Sequence, residues 1–179
     1  MLIGKLVRLR EYREEDLKLA QEYLNDFEIK KYLFPMTPFP LTLNDEKKWY
    51  EKVSFLNENY EFAIEALDKG IYLGGCGLKN LDWKNSHTEV GIFIGLQEYL
   101  GKGYGTEAMN LMINFIFMEM GLNKIKLDVY DFNQRAAACY EKCGFKKEAV
   151  LKNEIYRNGR FSDIIRMSIF KEDFLKRIN

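Results

Sequence analysis

The chain opens on an alternating pattern. Leu6-Val7-Arg8-Leu9-Arg10 places apolar side chains on one face and charges on the other, which predicts a strand. From Glu14 to Leu24 the period changes: Leu17, Ala20 and Leu24 fall on one stripe of an amphipathic helix. All three prolines (Pro35, Pro38, Pro40) lie between Tyr32 and Pro40, so that segment is not regular helix. Thr42 or Asn44 then caps a second helix running to about Leu56. Strand patterns follow at Tyr60 to Leu67 and Ile71 to Leu81, joined by the turn signal Asp68-Lys69-Gly70, and after Asn85-Ser86-His87 at Thr88 to Gly95. Thr106 to Met120 reads as helix, with Ala108, Leu111, Met112, Phe115 and Ile116 on a buried stripe. Lys124 to Tyr130 alternates again, and a short helix runs from about Asn133 to Cys143 with Gly144 as its stop. The last strands, about Phe145 to Tyr156 and Phe161 to Phe170, join at Asn158-Gly159, a strong hairpin signal. The order is strand, two helices, three antiparallel strands, helix, strand, helix, hairpin. That is α+β, built on one central mixed and mostly antiparallel sheet flanked by helices.

Composition narrows the function classes. The 179 residues suit a single domain, 1–179, and the apolar fraction of 47% gives it a packed core. Lys+Arg and Asp+Glu balance at 27 each, so no basic excess exists to hold a nucleic-acid backbone. No segment has the length of a membrane span or a signal-peptide core, and a cytoplasmic protein is expected. The three cysteines lack CxxC spacing and the only histidine, His87, lies in a turn, so no metal site is expected.

The stretch Gly101-Lys102-Gly103-Tyr104-Gly105-Thr106 carries the chemistry. Alternate glycines leave main-chain N–H groups uncovered just before a helix, whose positive end points the same way. Such a loop holds an anion, a phosphate or pyrophosphate. A Walker-type loop is excluded by spacing: five residues separate Gly95 from Gly101-Lys102, and Gly103 follows the lysine. The dinucleotide fingerprint fits at Gly103-x-Gly105-x-x-Ala108, but the upstream segments read as hairpins rather than βαβ units. The third reading is the pyrophosphate loop of an acyl-CoA enzyme.

A second motif, Asn133-x-x-Ala136-x-x-x-Tyr140-x-x-x-Gly144-Phe145, decides for the third reading. With the glycine loop ahead of it, the chain resembles the GNAT acetyl-CoA-dependent N-acetyltransferases over nearly its whole length. The loop departs from the family pattern only at Leu100, where Gln or Arg is usual. Tyr156 to Arg160 and Ile165 to Met167 resemble two branches, one acting on ribosomal-protein N-termini and one on spermidine. The resemblance implies a GNAT-like sheet splayed at a slot for acetyl-CoA, which is the cosubstrate. Phe93, Ile94 and Gly95 would lend backbone groups to the pantetheine arm. The main chain from Gly101 through Lys102, Gly103, Tyr104 and Gly105 to Thr106 would hold the pyrophosphate. Asn133 would bond the pantetheine, and Tyr140 would reach the sulfur.

The implied reaction is direct attack of an amine on the thioester in a ternary complex. A backbone N–H near Ile94 would serve the oxyanion. Tyr140 would protonate the thiolate as general acid, and either Glu89 or Asp128 would take a proton from the amine. Cys139 adjoins Tyr140 but has no histidine partner, so a covalent acyl-cysteine is not expected. The acceptor wall is expected from Tyr32 to Pro40, with Phe34, Met36 and Phe39 in contact and Tyr156 donating from the final hairpin. That stretch is uncharged, which favours a protein N-terminal α-amine or a small amine over a polyamine. The protein would be a monomer or homodimer. An NAD-dependent oxidoreductase and a non-catalytic acyl-CoA sensor are the rival classes.

Overall fold

The computed structural model describes residues 1–33, 39–53 and 60–178. Its strands are β1 (Leu2–Ile3), β2 (Val7–Arg10), β3 (Glu61–Ala66), β4 (Tyr72–Asp82), β5 (His87–Ile94), β6 (Lys124–Tyr130), β7 (Lys146–Arg157) and β8 (Arg160–Phe170). Its helices are α1 (Asp16–Asn25), α2 (Phe27–Lys30), α3 (Leu43–Val53), α4 (Tyr104–Asn114), α5 (Gln134–Cys143) and α6 (Lys171–Ile178). The described strands form one sheet in the order β1-β2-β3-β4-β5-β6-β8-β7. Every neighbouring pair is antiparallel except β5 and β6, as expected.

The expected elements are present, with three additions. β1 has two residues, too few for a period, and is held by pairing Leu2 with Leu9 and Ile3 with Arg8. Asp26 starts α2 by accepting the Glu28 N–H at 2.8 Å. α6 carries acids in its first turn and bases in its last, the arrangement its dipole favours. Thr42 rather than Asn44 caps α3: its hydroxyl accepts the Asp45 N–H at 3.2 Å, and the Asp45 carboxylate accepts the Thr42 N–H at 2.8 Å. The long helix is regular to Asn114 and continues as a π-helical turn over Phe115–Glu119. At the last hairpin, Asn158 (φ 51°) and Gly159 (φ 78°) adopt the left-handed pair of a type I′ turn.

The sheet divides two cores. On one face, Met109, Met112, Ile113 and Ile116 pack against Ile64, Leu73, Val90 and Ile125. On the other, Ala20 and Tyr23 of α1 pack on Ala63 and Tyr72. The join between β2 and α1 is ionic and buried. Arg10 donates to both Asp16 oxygens at 2.7 and 2.8 Å and to Glu65 at 2.5 Å. Full pairing is what makes buried charge tolerable there.

β5 and β6 pair only at His87 with Lys124, Thr88 with Ile125 and Glu89 with Lys126. Beyond Glu89 the two strands part, so the β5 edge from Val90 to Ile94 opens into a slot. α4 and α5 flank that slot through Gly103, Thr106, Asn133 and Tyr140.

Candidate active site

The glycine loop enters α4 at the mouth of the slot. Gly101 (φ 72°) and Gly103 (φ 94°) take left-handed backbone that favours glycine. The first backbone bond at the helix start runs from the Glu107 N–H to the Gly103 carbonyl, 2.9 Å. The N–H groups of Tyr104, Gly105 and Thr106 therefore precede any intrahelical partner and face outward at the positive helix end. Gly105 leaves open space: a Cβ there would meet only Ile94 Cγ1, at 3.7 Å. The donors and the open cradle fit a pyrophosphate. Glu107 braces the loop from behind, accepting N–H bonds from Lys5, Leu6 and Val7 at 2.9, 2.7 and 2.8 Å.

The slot itself is a cleft of about 310 Å³. It gathers most of the residues expected from the sequence: Phe93, Ile94, Gly101, Gly103, Gly105 and Thr106, with Asn133, Tyr140 and Asp128 on the far wall. Lys102 and Tyr104 do not line it. Lys102 is exposed, and Tyr104 stands edge-on to Tyr99 with ring centroids 4.9 Å apart. Gly95 is also outside the cleft. Its N–H bonds to the Leu73 carbonyl at 2.7 Å, and Tyr23 packs where its side chain would be. Asn133 has a second duty: its side-chain oxygen caps α5 by accepting the Ala136 N–H at 3.3 Å. Its amide N–H remains to face the cleft.

Tyr140 is buried at the cleft wall, with its ring 6.0 Å from that of Phe145. Burial pushes its phenol above the ordinary value, so it keeps its proton across the physiological range. A protonated phenol in that position can act as a donor. Cys139 lies beside it, with Sγ 3.3 Å from the Thr106 hydroxyl. A hydrogen bond from Cys143 holds its thiol below the ordinary cysteine value. No histidine is near it, since His87 sits at the start of β5 facing Asp82 at 3.9 Å.

The two carboxylates expected as bases are both engaged. Asp128 lines the cleft, but Arg166 grips both its oxygens at 2.8 Å in a bidentate pair. Glu89 lines no described cavity. It accepts from Asn80 at 2.9 Å and faces Lys126 at 3.9 Å. Tyr156 is 58% exposed, stands edge-on to Phe161 at 5.0 Å and lines neither this cleft nor the second one described below. Phe39 is exposed, and Phe34 and Met36 lie outside the described residues.

A second cleft, about 360 Å³, lies under α1 and α3 and meets the first at Leu33, Ile92 and Phe93, which line both. Sequence reasoning missed its chemistry. Three carboxylates line it, Asp45, Glu46 and Glu61, beside the rings of Tyr12, Trp49 and Tyr72. Tyr12 and Trp49 are T-shaped at 4.8 Å. Glu46 is 5% exposed, and its carboxylate has no hydrogen-bond or ion-pair partner among the described residues. Burial raises its pKa. Glu61 has no such partner either, and desolvation pushes it up to about 7 against a weaker opposing pull from Lys79.

Comparison with known proteins identifies the class. An acetyltransferase (GNAT) domain family matches residues 7–146. This chain belongs to the GNAT acetyltransferases. A spermidine N(1)-acetyltransferase of Vibrio cholerae is 30% identical over 169 residues, covering 94% of this chain and 95% of the relative. A putative ribosomal N-acetyltransferase of Bacillus subtilis is 31% identical over 128 residues, covering 70% of this chain and 67% of the relative. Among solved structures, the Vibrio cholerae spermidine N-acetyltransferase in complex with CoA and spermine superposes with a TM-score of 0.86. It is 27% identical, with 96% of this chain and 99% of that one covered. The family membership makes this chain an N-acetyltransferase that uses acetyl-CoA as cosubstrate, as the two sequence motifs implied, and sets aside the oxidoreductase and sensor readings.

Proposed function

We propose that this acetyltransferase modifies a primary amine of a small cationic molecule, a polyamine or a close analogue, by direct attack in a ternary complex. The observation that carries this reading is the acidic second cleft opening into the cofactor slot. A flexible polycation needs carboxylates to replace its lost hydration, and aromatic faces add cation–π attraction. Asp45, Glu46 and Glu61 with Tyr12 and Trp49 supply both. The preference for an N-terminal α-amine or a small amine rested on the uncharged stretch from Tyr32 to Pro40, whereas the carboxylates come from α3 and β3. Relatives named for spermidine acetylation support the same reading.

Acetyl-CoA supplies the acetyl group as a thioester. The N–H groups from Gly101 to Thr106 hold its pyrophosphate, and the free edge of β5 at Phe93 and Ile94 guides the pantetheine arm as a sheet edge guides a peptide. A backbone N–H near Ile94 takes the developing oxyanion. Tyr140 protonates the departing sulfur.

The test is a panel of polyamines, monoamines and N-terminal peptides assayed by release of free thiol from acetyl-CoA. Polyamines should give the highest kcat/KM. A peptide that outperforms them would return the acceptor to the protein N-terminal class suggested by the ribosomal relative.

A further inference from the structure

Strand β4 carries two glycines whose missing side chains are filled from elsewhere. A Cβ at Gly75 would collide with the Tyr12 hydroxyl, and a Cβ at Gly77 would collide with the Glu61 carboxylate. Glu61 pairs with Gly77 across β3 and β4, and Gly77 pairs with Gly91 across β4 and β5. Directly opposed residues point to the same face of a sheet, so this row is Glu61, Gly77, Gly91. It is bare of side chains from Glu61 to the β5 edge, two residues past the point where β5 leaves β6. The floor of the acidic cleft is therefore cleared in a line from one carboxylate towards the slot.

Four carboxylates line the two clefts, and their partners separate them. Asp128 is clamped by Arg166, and Asp45 accepts from the Thr42 N–H and hydroxyl. The carboxylates of Glu46 and Glu61 have no hydrogen-bond or ion-pair partner among the described residues and feel only the more distant charges of Lys30 and Lys79. Glu46 projects from α3 opposite the sheet, whereas Glu61 rises from the sheet itself at the head of the cleared row.

We propose that Glu61 accepts the proton of the substrate ammonium, its carboxylate lodged in the space that Gly77 leaves open. This rests on the amine-acetyltransferase reading given above. The ammonium N–H proton passes to Glu61, directly or through one water, and frees the nitrogen lone pair. The lone pair forms the C–N bond to the acetyl carbon, the C–S bond breaks, and the sulfur takes the Tyr140 phenolic proton. The second proton shed by the new amide nitrogen restores the Tyr140 phenol, and Glu61 releases its own proton to water. The charged and titratable groups around Glu61 are Lys79, the Cys76 thiol and the Tyr72 phenol from β4, the Tyr12 phenol from the segment before α1, and Asp45 and Glu46 from α3. Desolvation, against a weaker opposing pull from Lys79, keeps the carboxylate basic enough to work near neutrality, at about 7.

The experiment is the pH profile of kcat/KM for a monoamine in wild type, Glu61→Gln and Gly77→Ala, with acetyl-CoA binding measured separately. A monoamine removes any second ammonium that Glu61 would merely bind. Wild type should rise through about pH 7 and level off. Glu61→Gln should fall by roughly 10²–10⁴ at pH 7.5 with acetyl-CoA affinity unchanged. Its deficit should shrink as pH climbs towards the amine's own pKa, because neutral amine then arrives without help. Gly77→Ala, which pushes the carboxylate out of its niche, should show the same loss in smaller measure and serves if the glutamine variant does not fold. Glu61→Gln with kcat/KM within threefold of wild type, or a loss that stays constant with pH, overturns the assignment. Wild type that acetylates no amine would instead sink the functional reading beneath it.

Discussion

Glu61 makes the fold less stable at working pH than it would otherwise be. Its carboxylate rises from an ordinary 4.5 to about 7 in the folded protein, with desolvation the leading cause. The folded state therefore holds the proton more tightly than the unfolded chain. The stability tied to this group is complete below about pH 4.5 and is lost as pH rises through 7. At about 1.4 kcal/mol per pH unit the full effect is about 3 kcal/mol, and water reaching this half-buried group reduces it to roughly 1–3 kcal/mol. Glu61→Gln cannot ionise, so it escapes the loss. The amide brings a packing effect of its own, but that effect does not vary with pH. The quantity to read is thus the change in the variant's advantage between pH 5 and pH 8.5. Thermal melts without ligand should show the Gln variant gaining on wild type over that interval by roughly 2–10 °C, since about 1 kcal/mol moves Tm by 2–4 °C in a chain of this size. An advantage that is flat with pH, or that reverses, would mean the ionised carboxylate is well accommodated and the desolvation argument is wrong.

Tyr140→Phe removes one buried oxygen and leaves the contact with Phe145; kcat should fall by roughly 10²–10⁴ while the acetyl-CoA dissociation constant is unchanged. Gly105→Ala adds a methyl group that meets only Ile94 Cγ1 at 3.7 Å, so melting without ligand should be normal while the stabilisation by acetyl-CoA drops sharply. Asp16→Ala leaves Arg10 buried without its bidentate partner and should cost about 3–5 kcal/mol in urea unfolding. Incubation with acetyl-CoA alone, followed by peptide mass spectrometry, should find no acetyl group on Cys139, and a stoichiometric adduct there would replace direct attack with a covalent route.

Local chemistry was legible in the chain and assembled chemistry was not. The glycine loop, the helix start at Asn133, the stop at Gly144 and the Asn158-Gly159 turn each depend on backbone rules that act over a few residues. Their positions could be read directly, as could the slot, because it lies between the two motifs. The acceptor cleft is different. Glu61 begins β3, Gly77 lies midway along β4 and Glu46 sits in the first turn of α3. In sequence Glu61 is one more charged residue on an alternating strand, and only the β3–β4 register reveals that a glycine has made room for it. Asp128 misled for the converse reason. Its partner Arg166 is 38 residues away on β8, a strand that inserts between β6 and β7. A pattern of apolar and polar residues fixes which face a side chain takes, not which charge stands next to it.

Glu107 joins two parts of the molecule that the sequence separates by a hundred residues. One carboxylate in the first turn of α4 holds the N–H groups of Lys5, Leu6 and Val7, and Gly4 keeps the approach clear. The cofactor loop and the N-terminal ribbon are thus a single mechanical unit. Anchoring the loop from its front by a bound pyrophosphate tightens the same turn that grips the ribbon from behind. In amide hydrogen exchange, residues 5–7 should slow on addition of acetyl-CoA although none of them reaches the cleft. Glu107→Gln should leave the loop sequence intact yet uncouple that response.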